Sequence, residues 1–171
     1  MSWHRLETAD ASIFETGPGS APQLYRFPVR LDATPEQVWT SLASDESISA
    51  WPMGPGLGIG LRWTSPRPFG IGTTREVRLP FRAMTVRERF FRWDEGKGYS
   101  FYVESANRPG IRRFAENYEI EPDGAGARFT WTIAIEPAPR AEFVLGLTRP
   151  VNQLAFGRVA AGAKRHFAKS R

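Results

Sequence analysis

The chain has 171 residues, a length that suits one domain able to bury a full apolar core without a disulfide or a metal. It contains no cysteine, which excludes a disulfide scaffold, a thiolate nucleophile and a zinc site built on sulfur. The net charge is +5 and the isoelectric point is near 10.1, but the basic residues are scattered among acids. This dispersed pattern does not favour a nucleic-acid partner.

The first ten residues include acids and no apolar run, so we expect them not to be a secretory signal. No stretch approaches the roughly 20 apolar residues that a membrane span requires. The default expectation is therefore a cytoplasmic protein. A turn-rich segment at 17–22 predicts the end of an N-terminal tail over residues 1–22, followed by a ligand-binding domain over 23–168.

Residues 23–31 alternate apolar and polar side chains, which is the period of a half-buried strand. Pro28 inside this run favours an edge position, where the strand could also pair with a second copy in a homodimer. Thr34 is a good N-cap and Pro35 suits the first turn of a helix. A second short helix is predicted from Asp45 to Trp51.

From Gly54 onward, strand-sized segments alternate with turn residues. The predicted strands are 57–65, 73–79, 85–93, 97–104, 112–121 and 127–136. Because their connections are short, consecutive strands are expected to pair in the antiparallel sense.

After Pro139 the period changes from two residues to that of a helix. Val144, Leu147, Val151 and Leu154 recur on one face of a single helix of about 28 residues, with a kink expected at Pro150. A helix of this length must pack across something wide. We therefore predict an α+β fold in which a curved antiparallel sheet of about seven strands wraps around the C-terminal helix.

The order of elements resembles the START-like, or Bet v 1-like (SRPBCC), superfamily and its helix-grip fold, and most closely the polyketide cyclase/dehydratase-like family. The resemblance covers residues 23–168. It rests on the segments Ala33–Trp39, Asp45, Trp51-Pro52, Gly58–Trp63, Gly72–Thr74, Val86–Glu88 with Trp93-Asp94, and Gly126–Trp131. It implies the fold. Its members include enzymes, lipid carriers and proteins without known activity, so it does not select a function.

Several kinds of catalytic or binding site are disfavoured. The glycine-rich stretch 54–60 contains neither a GxGxxG nor a Walker motif, so it does not predict a phosphate site. The two histidines, His4 and His166, lie at opposite ends of the chain. No histidine-based metal site and no Ser-His-Asp triad is therefore expected. We predict no metal and no cofactor.

Two glutamates are the candidate acid–base residues. If Arg87 and Arg89 face solvent, Glu88 faces the interior, and Glu116 shares the face of Phe114 and Tyr118. A buried carboxyl is either paired or kept protonated, and a protonated one could serve the acid–base steps of cyclisation and dehydration. The structural alternative is that each glutamate pairs with an arginine such as Arg78 or Arg113, or reaches solvent at a strand end. A register slip of one residue would turn both glutamates outward.

The aromatic residues predict the lining of an internal apolar cavity between the sheet and the C-terminal helix. Glu76 and Arg78, on one face of strand 73–79, are additional candidates, and Tyr102 is assigned to neither face. The leading hypothesis is a binder of a small hydrophobic molecule, such as a lipid, a polyketide-like aromatic or an isoprenoid. The alternatives are a cofactor-independent cyclase/dehydratase and an interaction module with a basic surface. The predicted lining residues are Trp63, Phe69, Phe81, Phe101, Tyr118, Trp131, Leu147, Val151 and Leu154.

Overall fold

A computed structural model describes residues 2–15, 17, 21, 23–52, 58–79, 83–139 and 141–168, and for 142–148 the backbone alone. Eight strands and two α-helices are present in these ranges. The strands are β1 (His4–Arg5), β2 (Gln23–Leu31), β3 (Gly60–Trp63), β4 (Thr74–Arg78), β5 (Thr85–Asp94), β6 (Gly98–Ala106), β7 (Ile111–Asp123) and β8 (Gly126–Pro137). The helices are α1 (Pro35–Leu42) and α2 (Glu142–Ala168), with 3-10 helices at Ala11–Phe14 and Ser47–Ala50.

The strands form one antiparallel sheet in the order β2-β8-β7-β6-β5-β4-β3, and the short β1 pairs with β6. This architecture confirms the predicted helix-grip fold, and β2 lies at an edge as Pro28 indicated. The bounds of β2 agree with the predicted strand 23–31. A bulge between Phe90 and Arg92 bends β5 and lets both Phe90 and Trp93 point to the inner face.

The capping of α1 follows from its sequence. The Thr34 side chain accepts a hydrogen bond from the backbone N–H of Gln37, and the Gln37 side chain accepts one from the backbone N–H of Thr34. Val38, Trp39 and Leu42 are buried on one side of the helix. The second predicted helix is a 3-10 helix limited to Ser47–Ala50.

The C-terminal helix α2 spans 27 residues with Pro150 inside it, as the apolar period predicted. It packs along β2 and β8: the Phe156 ring lies 5.4 Å from the ring of Tyr25 and 5.8 Å from that of Trp131. Gly162 permits close contact, since a Cβ there would lie 2.8 Å from the carbonyl oxygen of Pro52. Neither helix in the described ranges is long and apolar enough to cross a membrane.

The N-terminal segment, predicted as a tail, packs on the sheet. Its β1 pairs with β6 and Leu6 joins the main core, whereas the part from Ala9 onward covers the outer face. Leu6 and Ile13 are buried, and Ile13 belongs to a small apolar cluster with Ala115 and Ala134 on that face. Tyr102 packs against the same cluster, so it points outward. The sheet therefore carries two apolar layers, a large inner one and a small outer one covered by the chain's own start.

Candidate functional site

The inner face of the sheet holds both predicted glutamates. Glu88 is 4% exposed and Glu116 is 8% exposed, so the register places both among the buried residues. Glu88 lies on β5 opposite Val103 of β6, and Glu116 lies on β7 opposite Phe101. Two carboxyl groups thus occur on neighbouring parts of one aromatic surface.

The partner of Glu88 is an arginine that sequence reasoning missed. Arg75 of β4 pairs with Glu88 in the register of β4 and β5, and its Nε donates to Glu88 Oε2 over 2.5 Å. The Arg75 side chain is fully buried. The proposed partners Arg78 and Arg113 are not used: Arg78 is exposed, and Arg113 forms an ion pair with Glu136.

The prediction that Glu76 and Arg78 face the pocket is wrong. Glu76 forms ion pairs on the outer face with Arg62, over 3.9 Å, and with Arg87, over 3.6 Å. Its strand neighbours Arg75 and Val77 are the residues that point inward. The inward direction of Arg75 could have been predicted from Val77, the one large apolar residue of β4. Val77 marks the inner face of the strand, and Arg75, two positions away, lies on the same face.

Aromatic rings enclose the guanidinium of Arg75, an arrangement in which the faces of the rings stabilise the cation. Its Nη1 has a long contact of 3.5 Å to Ser47 Oγ. Its Nη2 is buried and has no hydrogen-bond partner among the described residues. The distances from Cζ to the ring centroids are 4.5 Å for Phe101, 5.0 Å for Phe90, 5.4 Å for Trp63 and 5.8 Å for Tyr99.

Ser47 adopts a conformation that is costly for a residue with a side chain. Its φ is +46°, the one positive φ of a non-glycine residue in the described ranges. The fully buried hydroxyl lies 3.4 Å from the hydroxyl of Tyr99 as well as within reach of Arg75. Backbone strain of this kind persists where the surroundings fix it, and it is concentrated at functional sites.

Glu116 has neutral hydrogen-bond donors in place of a cation. The Tyr118 hydroxyl and the Trp131 Nε1 each donate to its Oε2 over 2.9 Å. Burial, reinforced by the negative charge of Glu88, raises the pKa of Glu116 to about 8. The hydrogen bonds from Tyr118 and Trp131 oppose this rise, but they do not cancel it. Glu116 is therefore a carboxylic acid that keeps its proton at neutral pH.

The cluster of Arg75, Glu88 and Glu116 is electrically neutral in this protonation state. Burial raises the pKa of Glu88, and the charge of Arg75 opposes that rise. Because an arginine stays protonated, the short contact to Arg75 favours Glu88 as its ionised partner. A second ionised carboxyl would leave one uncompensated charge in the interior, which is costly. The requirement for electroneutrality and the effect of burial thus lead to the same assignment, in which Glu88 is ionised and Glu116 is neutral.

A surface cleft of about 570 Å³ lies beside this cluster, and Trp63 separates the two. The Trp63 ring stacks on Phe69 at a centroid distance of 4.1 Å on the cleft side. It also lies 5.5 Å from the ring of Phe90, and its Nε1 donates to the backbone oxygen of Ser44 over 3.0 Å. Arg67 stacks over the Phe69 ring and forms an ion pair with Asp45 at the surface.

The other predicted lining residues fall into three groups. Phe101, Tyr118 and Trp131 are buried on the inner face, at 0%, 1% and 4% exposure. Val151 and Leu154 are 65% and 58% exposed, so the structure does not place them inside the fold. No described residue of α2 lines the cleft beside Trp63, so this cleft is not the cavity predicted between the sheet and the C-terminal helix. Phe81, and the side chain of Leu147, lie outside the described residues.

A second cleft of about 500 Å³ lies between α1 and the end of α2, lined in part by Asp32, Glu36 and His166. Its lining combines charged side chains with apolar ones such as Ala50 and Phe167, and it includes no residue of the buried cluster. In the part of the chain that the structure describes, no three His, Asp or Glu side chains come together as metal ligands.

Comparison with known proteins agrees with this architecture. The family model for polyketide cyclase / dehydrase and lipid transport proteins matches residues 25–168, and the chain belongs to that family. A curated relative, the uncharacterized protein Rv2574 of Mycobacterium tuberculosis, is 34% identical over 147 residues, which are 86% of each chain.

Two solved structures show the same fold at low sequence identity. TTHA0849 from Thermus thermophilus has a TM-score of 0.67 at 17% identity, and the match covers 87% of this chain and 100% of that one. Ara h 8.0201 has a TM-score of 0.57 at 12% identity, with 82% and 97% covered. These likenesses show that the chain has the fold of these proteins.

Proposed function

We propose that the protein binds a small hydrophobic molecule containing a ring, which enters at the cleft of Trp63 and Phe69 and lies on the aromatic inner face of the sheet. The observation that carries this proposal is the position of Trp63, with Phe69 and the cleft on one side and Phe90 on the other. The family description, which names cyclases and lipid transport, supports a ligand of this kind.

The cleft supplies a path for the ligand, because one aromatic pair separates it from the interior. Phe69 belongs to the segment between β3 and β4 and is half-buried, so its ring can leave the Trp63 face without disturbing a strand. A flat ligand can then stack on Trp63 in its place. Stacked or edge-on aromatic pairs contribute about 0.5–1.5 kcal/mol beyond the burial of apolar area.

Removal of the Phe69 ring tests this path. We expect Phe69→Ala to raise the affinity for a neutral naphthalene by at least about fivefold, because the ligand no longer has to displace the Phe69 ring from Trp63. The matched control is Phe14→Ala, which removes a ring stacked on Phe91 of the outer face. Equal effects of the two variants, or no uptake by the wild type in fluorescence and native mass spectrometry, would contradict the proposal.

A second function, cyclisation or dehydration of a bound polyketide-like molecule, is favoured by the protonated state of Glu116. An acid with a pKa of about 8 can deliver its proton to a leaving hydroxyl at neutral pH. Its Oε2 is occupied by two donors, so its proton is expected on Oε1. Glu88 is the candidate base, and the ion pair with Arg75 reduces its basicity.

This second function requires turnover as well as binding. With a hydroxy-ketone substrate, Glu116→Gln should abolish dehydration while ligand affinity changes less than about threefold, because the amide keeps the shape of the acid and accepts the same hydrogen bonds. Glu119→Gln, on the outer face of the same strand, is the control. A Glu116→Gln variant with wild-type turnover would remove this carboxyl from the mechanism.

A further inference from the structure

We propose that Arg75 is the residue that orients the ligand, by donating from Nη2 to a neutral carbonyl oxygen of a ketone, ester or amide. This inference rests on the proposed binding function and narrows its ligand class. It starts from a single atom: Nη2 is the one buried side-chain nitrogen or oxygen without a hydrogen-bond partner in the described ranges. Burying such a donor unsatisfied costs free energy, so a ligand that accepts from it gains an interaction the folded protein does not itself make.

The surroundings of Arg75 fix the direction of this donor. The Nε is held by Glu88, and the strained Ser47 lies beside Nη1. Aromatic faces of Phe101 and Phe90 hold the plane of the guanidinium. Nη2 is the one nitrogen of this guanidinium with no contact to a protein acceptor in the described part of the chain, so both of its N–H groups can donate to a ligand. The guanidinium loses little freedom when they do so, because it is already positioned.

The position of the cation also connects it with the cleft. The Cζ of Arg75 lies 5.4 Å from the centroid of the Trp63 ring, and Trp63 forms part of the cleft wall. A ligand that first stacks on Trp63 in place of Phe69 and then displaces the Trp63 ring would bring a substituent close to Arg75. The apolar part of the molecule would then lie among the rings of the inner face.

The charges around Arg75 favour an uncharged acceptor group on the ligand. The positive charge of Arg75 is already compensated by Glu88, its ion-pair partner in the interior. A carboxylate or phosphate would add a negative charge beside Glu88 and Glu116 with no further buried cation among the described residues. A carbonyl oxygen accepts the same hydrogen bond without that electrostatic cost.

Three probes with one apolar skeleton separate these possibilities at pH 7: 2-acetylnaphthalene, 2-isopropenylnaphthalene and 2-naphthoate. The first two have nearly the same shape and differ in the carbonyl oxygen. Binding of the hydrocarbon reports the hydrophobic site alone, so its failure to bind would count against the proposed function itself. The carbonyl contribution is read from the ratio of ketone to hydrocarbon affinity, compared between variants.

The variant is Arg75→Lys, which keeps a cation for Glu88 and removes the guanidinium arm. We expect the affinity ratio of ketone to hydrocarbon to fall at least about tenfold, as expected for the loss of one charge-assisted hydrogen bond. The control Arg87→Lys changes an outward-facing arginine on the neighbouring strand and should leave the ratio unchanged. An unchanged ratio in Arg75→Lys, or tighter binding of 2-naphthoate than of the ketone to the wild type, would overturn the inference.

A measurement on the wild type covers the case in which Arg75→Lys does not fold. The carbonyl stretch of bound ¹³C-labelled 2-acetylnaphthalene is expected at a lower frequency than in a hydrocarbon solvent, because the guanidinium polarises the C=O bond. A stretch at the hydrocarbon value would mean that the carbonyl meets no donor and would refute the role of Arg75.

Discussion

Replacement of Glu116 by glutamine should change how stability depends on pH. The pKa of Glu116 is about 8 in the folded protein, compared with the ordinary glutamate value of 4.5 that applies to the unfolded chain. Between these values the folded protein holds a proton that the unfolded chain has released, so the free energy of unfolding falls as the pH rises. The expected slope is about 1.4 kcal/mol per pH unit, or on the order of 4 kcal/mol between pH 5 and pH 8.

The amide of Glu116→Gln does not titrate, and its oxygen can accept from Tyr118 and Trp131 as the acid does. The variant should therefore lose this slope and be more stable than the wild type at pH 8. Urea unfolding followed by tryptophan fluorescence at pH 5, 6, 7 and 8 measures the difference. Glu119→Gln, on the outer face of the same strand, is the control. Parallel pH profiles of wild type and Glu116→Gln would refute the neutral-acid assignment.

Three further outcomes follow from the local geometry. Tyr118→Phe removes a hydrogen bond that lowers the pKa of Glu116, so this pKa should rise above about 8. A ¹³C NMR titration of the carboxyl measures it, and a lower value would contradict the assignment of donor and acceptor. Gly98→Ala should lower the free energy of unfolding by about 3 kcal/mol or more, because φ is +137° and the new Cβ would lie 1.9 Å from the carbonyl oxygen of Tyr118. Chemical denaturation measures this loss, and an unchanged stability would be incompatible with the strand spacing. Thr34→Ala should cost about 1 kcal/mol through loss of the α1 cap, whereas exposed Thr40→Ala should cost less than half of that in the same assay; equal costs would contradict the capping role.

The sequence predicted the fold well because its signals are local. Alternation gave the bounds of β2, the turn residues gave the order of the strands, and the helical period gave α2. The inward direction of Glu88 and Glu116 followed from the aromatic residues that share their face. The cytoplasmic location and the edge-strand homodimer are not tested by the structure and stay predictions.

The missed features depend on tertiary contacts. Arg75 was not predicted inside because a charged residue is buried only when a partner on another strand compensates it, and sequence periodicity does not show that partner. The N-terminal segment was predicted as a tail because Leu6, Ala9 and Ile13 have no regular period. Val151 and Leu154 were predicted to line the interior because they share the apolar face of the helix, but both are exposed. Periodicity identifies a face of a helix and does not show which part of that face is covered.

The arginines of this protein occur in two environments, at the surface and, for Arg75, in the interior. On the surface, arginines lie close to acids, as in the ion pairs of Arg62 with Glu76, Arg67 with Asp45 and Arg128 with Asp123, which reduces the field available to an acidic partner. This pattern argues against the interaction module with a basic surface. Buried ion pairs, by contrast, are often no more stable than apolar residues of the same volume. A fully buried Arg75 beside two glutamates is therefore poorly explained by stability, and the interior is where its charge can act on a ligand.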